Sequence, residues 1–461
     1  MMSMHASLEI ARRALSAHQL ALAVIGNNIS NVNTPGYSRR SSVLQQTADY
    51  DSRSGMVGTG VEAVDVRRAR DSILERLYRD RSSSLAQWST MDHSLREVEA
   101  VMGDLSEDGI TGALSEFWNS WNELSKQPDD MVLRGQVAGK ANALMSRVKG
   151  IDGQLHQIEQ DQVRQVQGTV REVNNIAMRL ADINKMVIEG EVQGQQANAL
   201  RDERDLLLTD LAGLAGIQAY EESTGATTVH FGGNVLVQGG SSRTLRVESG
   251  GSFENPTGPL EIYIGEGKNE INPTGGTLGG LLNAKNDYVS DYRDKLKGFV
   301  SQFVQSVNAV HRSGTDLNGG TDINFFDPAG LDPVSMRLNP ALADDLTKIA
   351  ASAGGLAGDG DIATRMYELQ TSKEMAGGFS SFDGFLNDLI GTIGTDIARV
   401  SGSVKNEEIL VLDLENRRLE TSGVSIDEEM TLLISHQHAY EAMARVTTAI
   451  DEMMQTLIAS V

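Results

Sequence analysis

Cysteine is missing from all 461 positions, which excludes disulfides, thiolate metal sites and cysteine nucleophiles together. It leaves the compartment open. Long hydrophobic runs are missing too. In the first 25 residues Glu9, Arg12, Arg13, His18 and Gln19 interrupt the apolar positions, leaving neither a signal-peptide core nor a membrane span. Export from the cell would therefore proceed without a cleaved general secretory signal. Positive charge is also short: 40 basic against 63 acidic residues give a formal charge of -23, the wrong sign for nucleic acid or anionic membrane. Residues 1–81 depart from this balance, with 11 Lys and Arg against 8 Asp and Glu. With no arginine cluster interleaved with aromatics, that excess reads as solvated helix faces.

Catalytic motifs are equally sparse. None of G-x-S-x-G, H-E-x-x-H or G-x-x-x-x-G-K-[ST] occurs, and the Gly139-Lys140 pair is followed by Ala141, which lacks the hydroxyl that would hold magnesium. His436 and His438 are two apart and so diverge on a helix, which argues against a shared metal. Asp316, Asn318, Asp322 and Asp327 suggest a calcium loop, yet the glycines at 319 and 320 miss the position an EF-hand turn requires, so a plain hairpin or loop is expected. The triplet Asp427, Glu428, Glu429 invites a general acid or base reading, but a solvated first helical turn does not raise a carboxyl by burial. No catalytic, cofactor or metal residues are assigned, and the chain reads as a non-enzyme.

What is present lies first at the two ends. Leu8, Ala11, Leu15, His18, Leu22, Ile25 and Ile29 step by threes and fours, as do Leu432, His436, Ala439, Met443, Val446, Ile450, Met453 and Leu457. That spacing keeps one seam of a helix facing a partner helix. The N-terminal helix should stop near Ile29, because Asn27, Asn28, Asn31 and Asn33 compete with the backbone and Pro35-Gly36 forces a turn. The C-terminal helix should start at Ser425, whose pairing with Glu428 is a capping box, and run free of Gly and Pro for roughly 55 Å. His18 and His436 occupy seam positions; either they sit at a wet edge without a role, or assembly through the seams weakens as pH falls through the histidine range.

The length predicts about three domains. An extended stretch follows the first helix to about residue 66. From Val66 to Ala212 the chain is helical in pattern, broken only at Pro128. From Ala212 to Gly280, 16 of 69 residues are glycine and punctuate short β-type runs at Thr227–Phe231, Asn234–Gln238, Thr244–Glu248 and Leu260–Ile264. Helical patterning returns at Leu281–His311 and from Asp361 to the C-terminus, around a Gly- and Asp-rich loop at Ser313–Asp327. The fold class is mainly α with a smaller β portion.

The run GNNISNVNTPGYSRR at 26–40 resembles the signature of bacterial flagellar axial proteins, shared by rod, hook and hook-associated components. Five further segments narrow the resemblance to the flagellar hook-associated protein 1 family: those at 109–128, 194–217, 275–289, 307–326 and 422–457. The match is collinear over essentially the whole chain. It implies a structural protein polymerised between flagellar hook and filament. Another axial component, a hook or distal-rod protein, is the alternative; it would not be expected to share the segment around Trp118 and Trp121. A secreted enzyme is the more distant one, and would need a clustered reactive constellation.

The resemblance further implies an inner coiled-coil domain from residues 1–60 with 415–461, and a helix-rich second domain at 61–414 containing a β subdomain at about 212–280. Longer members insert an outer β-rich domain after the position of Phe325-Phe326; here Asp327–Leu346 runs directly into helical sequence, so that domain is expected to be missing. Implied partners are the protein itself, the flagellar hook protein, the second junction protein on the filament side and an export chaperone at the C-terminal region, with neither nucleic acid nor membrane among them. Implied too are location on the extracellular flagellum and export through the flagellar type III apparatus. The expected assembly seam is Leu8, Leu15, Leu22, Ile25 and Ile29 with Leu432, Met443, Val446, Ile450, Met453 and Leu457. Tyr37 and the Asn27–Gly36 turn are expected at inter-subunit or inner-domain contacts, or to serve only the turn.

Overall fold

The computed structural model describes residues 2–52, 55–103, 109–192, 196–251, 256–267 and 269–459. Residues 194 and 195, which open one of the family-like segments, and residues 460 and 461, which the sequence reading included in the C-terminal Gly- and Pro-free stretch, lie outside them.

The first helix, α1 (Met2–Ser30), ends one residue past the expected stop. There the Asn31 side chain donates back to the Asn27 carbonyl at 2.9 Å, and Gly36 turns the chain with φ 78°. The extended stretch is an antiparallel ribbon of β1 (Arg40–Gln46) and β4 (Val61–Arg68), paired from Arg40↔Arg68 to Gln46↔Val61 with a bulge at Val43/Leu44. Beyond it extends a small hairpin, β2 (Tyr50–Ser52) with β3 (Gly55–Val57).

The helical region that follows has more breaks than Pro128 alone predicts. It comprises α2 (Ser72–Met102), α3 (Ile110–Lys126), α4 (Met131–Glu191) and α5 (Asn198–Ala215). The break after Met102 falls at Gly103, where an added Cβ would lie 2.6 Å from the Glu99 carbonyl oxygen, so the chain leaves the helix where only hydrogen fits. Asp130 restarts it by accepting from the Val132 and Leu133 amides at 2.6 and 3.4 Å, which caps α4.

With 61 residues, α4 is roughly 90 Å long and passes through two separate cores. Its first half joins α2, α3, α7 (Ser290–Arg312) and the start of α10 (Phe382–Ser422) around Phe117, Trp118, Trp121, Phe303, Phe325 and Phe326. Trp118 is fully buried, with its ring 5.0 Å from Phe117 and 5.5 Å from Phe303. The second half of α4 carries the glycine-rich region. There β5 (Ile217–Glu221), β6 (Thr227–Phe231), β7 (Asn234–Gln238) and β8 (Ser241–Ser242) form one antiparallel sheet, while β9 (Leu245–Gly251), β10 (Pro256–Ile264) and β11 (Asn269–Ile271) form another. Their inner faces pack on Val163, Val166, Val170 and Val173. Gly216, with φ 56°, lets this unit close on itself: an added Cβ would stand 2.8 Å from Gly275 Cα.

Helix resumes at α6 (Gly276–Asn283), earlier than Leu281, and reaches α7 through a π-helical turn at Ala284–Val289. Within the loop of calcium-like spacing, Asp316 is committed to the turn itself, accepting from the Asn318 and Gly320 amides at 2.8 and 2.7 Å. Phe325 and Phe326 plug the aromatic core, and residues 327–339 return to α8 (Pro340–Asp344) with one isolated bridge, Phe326↔Leu338, and no sheet. The final helical stretch is also discontinuous. A short α9 (Asp361–Glu368) precedes an irregular segment to Ser381, and Gly423 separates α10 from α11 (Ile426–Ala459).

Candidate assembly surface at the paired chain ends

α1 and α11 lie side by side and antiparallel: His18 meets His436, and ten residues further along α1, Asn28 meets Glu429, seven residues earlier on α11. The sequence put the contact row of α1 at Leu8, Leu15, Leu22, Ile25 and Ile29. The side chains α1 buries, between α11 and the β1/β4 ribbon, are Ala11, Ala14, Ala17, Ala21, Val24, Ile25 and Asn28. Small side chains let backbones approach closely, so within one subunit the alanines are covered. Leu8, Leu15, Leu22 and Ile29 remain half-buried.

α11 is barely covered at all. Of its described residues only Glu429 and Ile450 are buried, while Met443 is half-buried. Leu432, Val446, Met453 and Leu457 are 40% to 51% exposed, and the first three, with Ala439, repeat every seven residues along one line of the helix. An exposed apolar line of that length is unusual on a soluble monomer.

At the other end of the pairing the contacts are polar. Buried Asn28 donates through Nδ2 to Glu429 Oε2 at 2.9 Å and to the Arg40 carbonyl at 2.8 Å, and its Oδ1 accepts from the Arg40 amide at 3.0 Å and the Tyr37 hydroxyl at 2.8 Å. Arg39 Nε donates to Glu429 Oε1 at 2.7 Å. Tyr37 is therefore part of the lock between the chain ends, with Arg40 4.9 Å above its ring. Two readings from the sequence need correction. Glu429 is not in a solvated turn: α11 packs on α1 and leaves it 1% exposed. Glu428, the capping-box acid, turns to Arg39 at 3.1 Å, and its amide reaches Ser425 Oγ only at 3.5 Å.

The basic excess of residues 1–81 is likewise not all solvated helix face. Arg40 and Arg68 both bind Asp202, Arg68 and Arg70 both bind Asp205, and Arg70 and Arg418 both bind Glu75. Burial pushes the Asp205 carboxyl up, but Arg70, Arg204 and Arg68 together hold it below the ordinary range. This network fastens the N-terminal ribbon to α5, α2 and α10. Its partners stand more than 130 residues apart in sequence, except for the local Arg70–Glu75 pair; the only local sign was the alternating charge of Arg201–Asp205. Beside it, an open cleft of about 770 Å³ separates the Asn31–Arg39 segment from α10, with Leu206 and Leu419 among its walls.

His18 and His436 approach to 3.0 Å between Nδ1 atoms, so one ring must donate and the other accept. Burial, then the neighbouring imidazole, lowers the His18 pKa. A histidine whose folded pKa is depressed loses stability as pH falls below its unfolded value, about 6.5. Scattering from assembled protein should therefore decline between pH 7 and 5, and His18→Gln or His436→Gln should flatten the decline; superimposable curves would show that the histidine pair has no part in it. The comparison is needed because buried His311, pushed down to about 4 chiefly by burial, adds its own loss at acid pH.

Among the described residues no group of three His, Asp or Glu is placed to hold a metal, and no helix is long and apolar enough to cross a membrane. Comparison with known proteins gives a consistent picture. Residues 95–326 match the model of the flagellar hook-associated protein FlgK helical domain, 415–460 the flagellar basal body rod FlgEFG protein C-terminal model, and 8–37 the flagella basal body rod protein model. Flagellar hook-associated protein 1 of Bacillus subtilis is 30% identical over 99% of this chain and 98% of its own length. That of Escherichia coli is 23% identical over 97% and 98%, its 540 aligned positions exceeding the 461 residues here, so the relative carries insertions. In fold, the chain resembles the flagellar hook junction protein FlgK from Burkholderia pseudomallei, with a TM-score of 0.63, 15% sequence identity, and coverage of 75% of this chain and 100% of that one.

Proposed function

The chain belongs to the flagellar hook-associated protein 1 family, structural components of the hook–filament junction, and we propose that it builds the junction by closing its two terminal helices against those of neighbouring copies. Membership carries self-assembly, association with other axial proteins and a flagellar location. The finer reading rests on one observation: the line Leu432, Val446, Met453 and Leu457 is exposed although α11 already has a partner helix. Isolated pairs of this kind are marginal in water, and neighbours would supply the missing apolar cover.

On this reading residues 1–60 with 415–461 form the inner layer, and 61–414 the next, with no outer β domain after Phe326. Hook protein contacts one side of the zone and the second junction protein the other. Export by the flagellar type III apparatus, with a chaperone on the C-terminal region, suits an α11 whose apolar line must be kept from premature assembly. The decisive experiment is electron microscopy of a deletion strain, with an assay of its medium for flagellin. Complete hooks without filaments and shed flagellin are expected. Basal bodies without hooks would point to a rod or hook component, and normal filaments would refute the reading.

A further inference from the structure

Away from the chain ends, α2, α5 and β5 enclose a groove of about 400 Å³ that shares a wall with a second depression of about 230 Å³. Arg76, Arg79 and Tyr220 line both. The arginines deeper in the groove are paired with Asp205, Glu75 and Glu221. Arg76 and Arg79 are different: neither makes an ion pair or hydrogen bond to any described residue, and Asp80 at the rim is bonded to neither. Arg79 is half-buried, and burial lowers its pKa although Asp205 and Glu75 favour its charge. Ile73 and Tyr220 add exposed apolar surface beside them. A half-buried Arg79 beside an exposed Arg76, near Asp205, Glu75 and Asp80 but hydrogen-bonded to none of them and set beside exposed apolar side chains, suits a carboxylate-bearing apolar partner.

The same chain carries such a partner on α10. Toward α2 this helix presents Glu407 and Arg418, bound to Arg81 and Glu75. About a quarter-turn round the helix runs a second row, Glu408, Leu412, Glu415 and Leu419, whose leucines are 59% and 62% exposed. Neither Glu408 nor Glu415 has a partner among the described residues. Two turns, about 10 Å, separate these carboxylates, with Leu412 between them. Glu415 and Leu419 border the cleft beside the chain ends, which shares Arg70, Glu75 and Asp205 with the groove; the row and the groove are still two different patches, so their match between copies is of the head-to-tail kind that closes rings or propagates helices.

Building on the proposed self-assembly, we infer that the α10 row of one copy docks in the Arg76–Arg79 groove of the next, Glu408 and Glu415 pairing with the two arginines and Leu412 covering Ile73 and Tyr220. This contact lies outside the terminal helices and gives the polymer a lateral link in its second layer.

The absence of native cysteine makes the test direct. Two full-length variants, Arg79→Cys and Glu415→Cys, carrying different tags, are co-expressed in the deletion strain, and isolated flagella are treated with a short thiol-to-thiol cross-linker, because an Arg–Glu ion pair holds its Cβ atoms farther apart than a disulfide spans. A cross-link joining the two tags, in clear excess over same-tag dimers, is expected; both variants present at hook tips with no mixed dimer would overturn the interface. Independently, Arg76→Glu/Arg79→Glu should lower incorporation by about tenfold, the factor that corresponds to 1.4 kcal/mol. Adding Glu408→Arg/Glu415→Arg to the same chain should restore it. Should the cysteine variants fail to reach the tip, the charge swap decides: rescue supports the contact and no rescue overturns it. Wild-type protein away from the hook tip would instead overturn the proposed function.

Discussion

Ile450→Asp is expected to release α11 from α1 and abolish incorporation at the hook tip, while the aromatic core around Trp118 stays folded. Ile450 is the single buried apolar side chain among the described residues of α11, at 4% exposure, so the helix has little else apolar to hold it. Deleting a buried isoleucine side chain costs about 2–5 kcal/mol, and an unpaired carboxylate in its place adds more. Elements with few buried contacts open at a small fraction of the global stability, so that loss should suffice for local detachment. Faster proteolysis within 426–459, an unchanged near-ultraviolet tryptophan signal and hooks without filaments would together bear this out. Leu22→Asp provides the contrast. Leu22 is only half-buried in the single chain, so the substitution should disturb the monomer less, yet block assembly as fully if neighbouring copies cover the leucine row. Normal incorporation of Ile450→Asp would mean that the helix seam is not the assembly element.

Glu429→Ala should weaken the closure of the chain ends by about 3 kcal/mol, near the lower end of what breaking a buried ion pair costs, because Arg39 keeps partial access to water and to Glu428. The loss is shared between Arg39 and Asn28, which both direct donors at this carboxylate. Glu429→Gln should recover part of it by preserving one acceptor for Asn28. Glu428→Ala, at an exposed position, should cost less than about 1 kcal/mol. Amide exchange at the start of α11 would distinguish these outcomes; equal protection in wild type and Glu429→Ala would show that the helix is held from Ile450 alone.

Much of the helical framework was legible because its signals are local. The stop after Asn27–Asn28 and the strands at 227–231 and 234–238 follow from side chains acting on their own backbone or from a period of two. The break at Gly103 was harder to read, since a single glycine inside a helical pattern is often tolerated, whereas the one at Gly423 falls where Ser425 signals a helix start. At the ends, periodicity gave a stripe but not its division. Ala11, His18 and Ile25 belong to two overlapping seven-residue patterns, one completed by Leu8, Leu15, Leu22 and Ile29, the other by Ala14, Ala21 and Asn28.

The sequence by itself determined that both ends are long amphipathic helices, that a helical middle carries a glycine-punctuated β portion, and that the signature at 26–40 aligns the chain with flagellar axial proteins. Tertiary structure alone decided which α1 row is covered within a subunit, that Glu429 is buried against Asn28 and Arg39, and that arginines of the first eighty residues are neutralised by Asp202, Asp205 and Glu75. The division has a simple cause. Periodicity and capping act over a few residues of one chain segment, whereas burial and most of these ion pairs depend on surfaces supplied by residues more than 130 positions away.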